Sequence, residues 1–282
     1  MITTAASVVE RLDTIGTVPT SVAQIFSLIN DPRATAQDFE RVVRPDVGLT
    51  ANLLRCANSI FYRASREITS VRDAITRMGM RRVFEVAASA SFSKAIPDQL
   101  PGYGMTAMDF WAHSVEVAVL ADRIGREAGF TYPDLAFTAG LLHDLGKAVV
   151  ATWLNEGGAG PQVAPGSLRT VEAERDALGT DHAECGELLA QKWNLPKEII
   201  GAARWHHDPS NAPTATLRYL ATVVQLADGA SYAGKGADTP LDVDALERLN
   251  LAAERVMGIV ATVQPEVERT RELLTGLARK AA

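Results

Sequence analysis

Five histidines are the residues of this chain best equipped for chemistry, and all fall in one stretch: His113, His143, His182, His206 and His207. None lies in the first 112 residues or the last 75. Two doublets stand out, His143-Asp144 and His206-His207. Adjacent residues on a helix point about 100° apart, so such a doublet can serve two sites or bridge them. Ala139 and Gly140 lie one turn before the first doublet, and Ala202 and Ala203 one turn before the second. Those small residues leave room for another helix or a ligand to approach the imidazoles. Asp228 continues the face of Leu217, Leu220, Ala221 and Val224 on an otherwise apolar predicted helix. A carboxylate on a buried face needs a cation or several hydrogen bonds.

Taken singly, each of these residues has a bland reading. A lone histidine packs in a helical core, Lys147 is a solvated charge, and Cys185, three residues after His182, is a small core residue. The joint pattern is different. Five histidines with Asp144 and Asp228, on five consecutive predicted helices, suit a buried divalent-metal centre. Neutral imidazole and carboxylate fit Fe, Mn, Zn, Ni or Co better than Ca or Mg.

The elements that must position these residues read as helices nearly throughout. Ala, Leu, Glu and Arg are abundant, and strand-like alternation over four or more residues is hard to find. The fold class is therefore all-α. Thr35 with Asp38 and Ser70 with Asp73 resemble capping boxes in a first set of short helices. Pro19, Pro32, Pro45 and Pro97 punctuate the joins. The run Pro97-Asp98-Gln99-Leu100-Pro101-Gly102-Tyr103-Gly104 predicts a boundary. A long helix over about 106–129 carries His113. A second, with Pro133 and Asp134 in its first turn, runs through Gly140 to about Trp153. After a Gly/Pro-rich loop over 155–166, Asp181 with Glu184 opens a helix ending before Pro196. Asn194 then caps a helix reaching His206-His207, and a further helix spans 214–232. The tail reads as two helices, about 242–258 and 265–280. Leu246, Leu249, Val256, Ile259 and Val260 there suit packing on the body or a dimer contact. The predicted organisation is an N-terminal bundle of short helices over 1–104, a core over 105–235, and C-terminal helices over 236–282.

Composition sets the outer bounds. A chain of 282 residues with 47% hydrophobic and 22% charged residues is ordinary for a globular protein and excludes disorder as its main state. A net charge of -6 argues against a general nucleic-acid binder. No run of 18 apolar residues and no signal-peptide pattern occurs, so neither a membrane span nor export is expected. With two cysteines, Cys56 and Cys185, no disulfide framework is implied and a cytoplasmic location is the default.

At this point the residues resemble a known group. Leu141-Leu142-His143-Asp144-Leu145-Gly146-Lys147 resembles the central motif of the HD superfamily of metal-dependent phosphohydrolases. The N-terminal part resembles the HDOD group of bacterial signalling proteins. Its residues are Pro45-Asp46-Val47-Gly48-Leu49-Thr50, then Leu53-Leu54-Arg55-Cys56-Ala57-Asn58-Ser59, then Ile68-Thr69-Ser70-Val71-Arg72-Asp73-Ala74-Ile75 and Met78-Gly79. The resemblance covers roughly 15–230. Many HDOD proteins look degenerate at the metal positions, whereas this chain lines up with the two-metal centre of the related HD-GYP phosphodiesterases. By that resemblance His113, His143, Asp144 and Asp228 hold a first metal. Asp144 bridges to a second, completed by His182, His206 and His207, and Lys147 sits near a substrate phosphate. The glycine-tyrosine-proline motif expected after the histidine pair is absent; Asp208-Pro209-Ser210-Asn211-Ala212-Pro213 stands there instead.

The resemblance implies a regulatory signal-transduction protein that keeps a dinuclear metal centre. Its partner would be a signalling protein or a nucleotide-type small molecule. The alternative is an active phosphohydrolase or phosphodiesterase acting on a nucleotide or cyclic dinucleotide through a hydroxide bridging two metals. Two further readings stand beside these. One is a helical interaction module whose histidines only pack. The other is a nucleic-acid patch built from Arg63, Arg66, Arg77, Arg81 and Arg82, for which a solvated helix face is the competing explanation.

Overall fold

A computed structural model describes residues 4–10, 20–29, 31, 33–59, 62, 67–92, 96–131, 133–157, 163–235 and 240–278. Among these the helices run α1 (Ala5–Glu10), α2 (Thr20–Ile29), α3 (Ala36–Val43), α4 (Val47–Ala57), α5 (Val71–Met78) and α6 (Met80–Phe92). A two-stranded antiparallel ribbon follows, β1 (Gln99–Leu100) and β2 (Met105–Thr106). Then come α7 (Ala107–Glu127), α8 (Pro133–Leu142), α9 (Leu145–Asn155), α10 (Val171–Leu178), α11 (His182–Lys192) and α12 (Lys197–Trp205). The chain closes with α13 (Ala215–Ala233), α14 (Val243–Leu249) and α15 (Ala253–Ala278). The protein is all-α in class, and none of its described helices is long and apolar enough to cross a membrane. It packs as two compact units, one of residues 1–15 and 96–267, the other of residues 16–95 and 268–282.

In the second unit the predicted caps form. The Thr35 N–H donates to Asp38 Oδ2 at 2.9 Å, and Ser70 Oγ accepts from the Asp73 N–H at 3.0 Å. Asn58 explains its place in the motif: its side chain donates to the Ile68 carbonyl at 2.7 Å and accepts from the Ile68 N–H at 2.8 Å. One side chain thus replaces a strand-like partner for an otherwise bare backbone segment. Phe26 meets Phe84 edge-on, ring centroids 4.8 Å apart, between α2 and α6. The arginines read as a patch are used internally. Arg81 and Arg82 pair with the fully buried Glu85, and Arg77 donates to the Tyr62 carbonyl. Arg63 and Arg66 lie outside the described residues, as do Pro19 and Pro32.

In the first unit α7 is the hub, buried along most of its length and packed by α8 and α13. Its start, not foreseen, is a capping box: Thr106 Oγ1 accepts from the Asp109 N–H at 3.2 Å while Asp109 takes the Thr106 N–H at 3.1 Å. The Pro-rich boundary stretch is the β1–β2 ribbon with a 3-10 turn at Pro101–Tyr103 and Gly104 at φ 66°.

Three helix boundaries differ from expectation. The single helix expected from Pro133 to Trp153 is two, α8 and α9, broken at His143-Asp144. Asn194 does not cap α12; it turns the chain at φ 54°, and Pro196 takes the N-cap position. In the tail, α14 stops at Asn250, left-handed at φ 53°, and α15 then runs unbroken past Pro265. Asparagine tolerates that conformation and so ends the helix early, whereas the proline costs only one backbone bond in a helix held by packing. Val256, Ile259 and Val260 are buried within the chain, and Arg255 grips Glu127 with two 2.7 Å bonds.

Candidate metal centre

Local chemistry aims each side chain. His113 lies inside α7, and Asp228 and Ser231 lie one turn apart on α13. His143 and Asp144 occupy the two-residue break between α8 and α9, not a continuous helix, so both side chains are freed from helical spacing and point one way. His182 is the first residue of α11, whose N-cap Asp181 accepts from the Glu184 N–H at 2.8 Å. Glu184 does not complete a box; it takes the Thr180 hydroxyl at 2.9 Å. His206 and His207 sit at and just past the end of α12. Four of the five histidines are therefore at helix ends, which is why the chain needs so many short helices here.

Glycines let the helices close in. A Cβ on Gly140 would lie 2.9 Å from the Val117 carbonyl, so only glycine allows α8 this near α7. A Cβ on Gly146 would lie 1.7 Å from the His182 carbonyl oxygen, inside its van der Waals surface, so α9 meets the start of α11 backbone to backbone.

The seven expected residues converge as two groups, Asp144 with His182, His206 and His207, and His113 with His143 and Asp228; within each, one ligand-type atom per residue lies within 4.8 Å of the others. Asp144 is the shared member. Its Oδ1 is 3.2 Å from His182 Nε2 and 3.6 Å from His206 Nε2, while its Oδ2 is 3.2 Å from His143 Nε2 and 3.8 Å from His113 Nε2. Asp228 Oδ1 approaches His113 Nε2 at 3.1 Å. His207 Nε2 lies 3.0 Å from His182 Nε2, and His206 Nε2 3.4 Å from it.

Every one of these contacts uses Nε2, and for four histidines the Nδ1 position is occupied from outside. His143 Nδ1 donates to the Gly140 carbonyl at 2.8 Å and His206 Nδ1 to the Ala203 carbonyl at 2.9 Å. His182 Nδ1 meets both Glu174 carboxylate oxygens at 2.8 Å, and His113 Nδ1 faces Ser231 Oγ at 3.4 Å. A carbonyl can only accept, so His143 and His206 each carry a proton on Nδ1, and in the neutral form each ring presents its Nε2 lone pair inward. Lone pairs facing one another and two carboxylates repel unless a cation lies among them. His113 Nε2, His143 Nε2, Asp144 Oδ1 and Asp228 Oδ1 are all buried without a hydrogen-bond partner. Buried polar atoms left bare cost free energy, and these four are the atoms a metal would take. The donor set fits a borderline divalent ion.

Charge in the metal-free protein follows the same map. Burial holds His206 below the ordinary imidazole range, so it is neutral and ready to ligate. Burial opposes charge on His182 most strongly, but the Glu174 and Asp144 carboxylates together outweigh it and lift the pKa to about 9. Burial would raise Asp144, yet His143 and Lys147 hold it well below the usual carboxylate range. The Lys147 ammonium sits 2.6 Å from Asp144 Oδ2, with the Tyr103 ring 5.7 Å beneath it. Burial disfavours its charge, but Asp144 and Asp228 keep its pKa above the lysine value.

One contributor escaped the sequence reading. Glu174 is buried and takes both the His182 N–H, at 2.6 Å, and His182 Nδ1. A signal was present: Glu174 lies on the same stripe of α10 as the buried Val171 and Leu178. Cys185 joins neither group; it is a buried thiol whose pKa burial pushes up.

Comparison with known proteins gives a consistent result. The family model described as the HDOD domain matches residues 15–209. The chain is 28% identical over 233 residues to an uncharacterized protein of Treponema pallidum, covering 78% of this chain and 42% of that protein. It is 35% identical over 144 residues to ribonuclease Y of Thermus thermophilus, covering 51% of this chain and 20% of that protein. The chain thus spans less than half the length of either relative. Among solved structures it is similar to an HDOD domain protein with unknown function from Geobacter sulfurreducens, at 25% identity and a TM-score of 0.72, covering 97% of this chain and 96% of that one.

Proposed function

Because the chain belongs to the HDOD domain family, we propose that it is a regulatory signal-transduction protein that retains a dinuclear divalent-metal centre. His113, His143, Asp144 and Asp228 would hold one ion. Asp144, His182, His206 and His207 would hold the other, with Asp144 bridging. The observation that carries this reading is the set of inward Nε2 atoms and bare carboxylate oxygens, with four of the five imidazoles held from behind. A partner acting on this protein would be a signalling protein or a nucleotide-type small molecule.

A second reading, metal-dependent hydrolysis of a phosphoester, is favoured by the position of Lys147 and by the likeness to a relative named as a ribonuclease. Two divalent ions, when bound, supply Lewis-acid activation of water and neutralise a phosphoryl group. The protein's own part is orientation and charge. Glu174, Gly140 and Ala203 fix three imidazole tautomers. The Lys147 ammonium, already at the edge of the site, is placed to meet phosphoryl oxygens.

Metal content per chain tests the first reading, on protein purified without chelator or affinity metal and under low oxygen. About two ions per chain, lost in Asp144→Ala, are expected. No bound metal, and none gained on dialysis against Mn, Fe, Zn, Ni or Co, would sink it. Turnover of bis-p-nitrophenyl phosphate by loaded protein, abolished in His143→Ala, tests the second.

A further inference from the structure

The net charge of -6 hides an uneven distribution. The first unit, residues 1–15 and 96–267, carries 13 Lys and Arg against 25 Asp and Glu, a net -12. The second unit, residues 16–95 and 268–282, carries 15 against 9, a net +6. All seven residues of the histidine–aspartate cluster belong to the acidic unit. The basic unit has a surface feature of its own.

A groove of about 450 Å³ opens on the second unit, lined by Gln37, Glu40, Arg41, Arg44, Pro45 and Arg72. Positions 37, 40, 41 and 44 recur with the spacing of one helix face, so α3 and its C-cap supply one wall. The three arginines are not equally free. Arg72, from α5, donates to Glu40 at 2.8 Å and so neutralises the one carboxylate of the wall. Arg41 lies 3.3 Å from Asp38 Oδ1, while Asp38 Oδ2 is taken by the Thr35 N–H and hydroxyl. Arg44 is exposed, and its side chain has no ion pair or hydrogen bond among the described residues. With both other pairs counted, the groove keeps one uncompensated guanidinium.

The segment that follows shows why Arg44 stays bare. Asp46 is only two residues on, but its carboxylate is turned into the fold. Its Oδ1 accepts the Leu49 N–H at 2.9 Å as the cap of α4, and its Oδ2 accepts the Ser21 hydroxyl at 2.6 Å. What remains outward is Arg44, Pro45 and Val47. Val47 is 82% exposed, the most of any large apolar side chain among the described residues. The fold thus consumes the acid of this segment and leaves its cation and its apolar groups in water. A free guanidinium seats a carboxylate by two parallel hydrogen bonds, and an apolar side chain beside it gains from being covered.

We propose that this edge of the second unit docks an acidic segment of a partner protein, with a carboxylate side chain on Arg44 and an apolar neighbour over Pro45 and Val47. The positive charge of the unit draws such a segment in. A nucleic acid fits less well. It is held by several free cations on phosphates, whereas one groove arginine of three is free here and Val47 offers a phosphate backbone nothing. The proposal goes beyond the metal-centre reading and does not depend on it, because no residue of that centre lies in this unit.

The test is fluorescence anisotropy with the full chain, in chelator so that metal plays no part. The probe is a fluorescein-labelled peptide rich in glutamate with leucine interspersed; its control has lysine in place of every glutamate. The acidic peptide should bind, more weakly as salt rises, and the control should not. Arg44→Glu should weaken binding about tenfold or more, and Val47→Ser about threefold. Arg33→Glu reverses another exposed arginine of the same unit, outside the groove, and should change affinity by less than about twofold. Both reversals alter the unit's charge equally, so only position separates them. Equal losses in the two would reduce the effect to overall charge and overturn the proposal. So would no binding of the acidic peptide, or binding unchanged in Arg44→Glu. Tighter, Arg44-dependent binding of a labelled deca-adenylate RNA would make the occupant a nucleic acid. Arg44-dependent self-association in sedimentation velocity would make it a second copy of this chain. Either result overturns the partner-protein reading. The altered side chains are exposed, so an unchanged melting temperature checks that each variant folds.

Discussion

The two halves of the histidine–aspartate cluster are built differently. The group of His113, His143 and Asp228 draws on long helices: two of its members lie within α7 and α13, and the third at the end of α8. Its outer supports are a backbone carbonyl and a serine hydroxyl. The group of Asp144, His182, His206 and His207 comes wholly from helix ends and turns. Its outer supports include a buried carboxylate, and one of its histidines, His207, is exposed. One half gets its geometry from rigid helices, the other from local hydrogen bonds. Damage to the second half should therefore be more specific, and damage to the residue shared by both the most general.

Asp144 is that shared residue, and Asp144→Ala should have the largest effect. Both ions should be lost together. In chelator the variant should also be less stable by about 3–5 kcal/mol, since Lys147 is left as a buried charge without its partner. Urea unfolding with and without chelator separates the two effects. Loss of one ion only would show that the halves are independent, against the bridging geometry. Next in size is Gly146→Ala. The added methyl cannot coexist with the His182 carbonyl, so α9 must move from α11 at a cost of about 1–3 kcal/mol or more. Metal uptake should fall to about one ion, retained by the half that does not use His182. Gly186→Ala, where the new Cβ would meet Gly146 at 3.2 Å, should cost less.

Glu174→Gln sharpens the contrast further. Orienting partners of metal ligands are worth about 10- to 100-fold in affinity, so the ion held by His182 should weaken by that factor while the other is unchanged. The same variant carries a pH signature in chelator. The folded His182 pKa, near 9, lies above its ordinary value of 6.5. A raised imidazole contributes stability that is complete below the unfolded pKa and lost as pH rises through the folded one. Wild-type protein should lose that contribution between about pH 6.5 and 9, and Glu174→Gln should show a flatter profile over the same window. Urea midpoints at intervals across that range would reveal it; identical slopes would mean that Glu174 does not hold the proton.

How far these features could be read beforehand follows from the range of the forces. The all-α class and the caps at Thr35 and Ser70 depend on residues within one turn, and the sequence displays them. The residues that meet at the cluster were identifiable because histidine and aspartate are poor choices for an apolar helix face. The break at His143-Asp144 was hidden: its flanks, Leu141-Leu142 and Leu145, keep the apolar character of one long helix. The break coincides with a backbone contact between Gly146 and α11, a tertiary feature with no local marker other than the glycine itself. Glu174 was missed for the opposite reason. A single glutamate on a short helix looks solvated until its partner, eight residues away, is placed beside it.

The smallest expected effect belongs to Ser231→Ala, and it probes the half supported by long helices. Ser231 Oγ donates to the Asp228 carbonyl at 2.8 Å and faces His113 Nδ1 at 3.4 Å, a distance at which little energy is held. If α7 itself fixes the His113 ring, removing the hydroxyl should cost no more than about 0.5–1.5 kcal/mol in stability. The affinity of the first ion should then fall by less than the tenfold minimum expected for Glu174→Gln at the second. Calorimetric titration of a divalent ion into both variants makes that comparison directly. An effect of Ser231→Ala as large as that of Glu174→Gln would mean that helix rigidity does not orient His113, and that both halves depend on their outer hydrogen bonds alike.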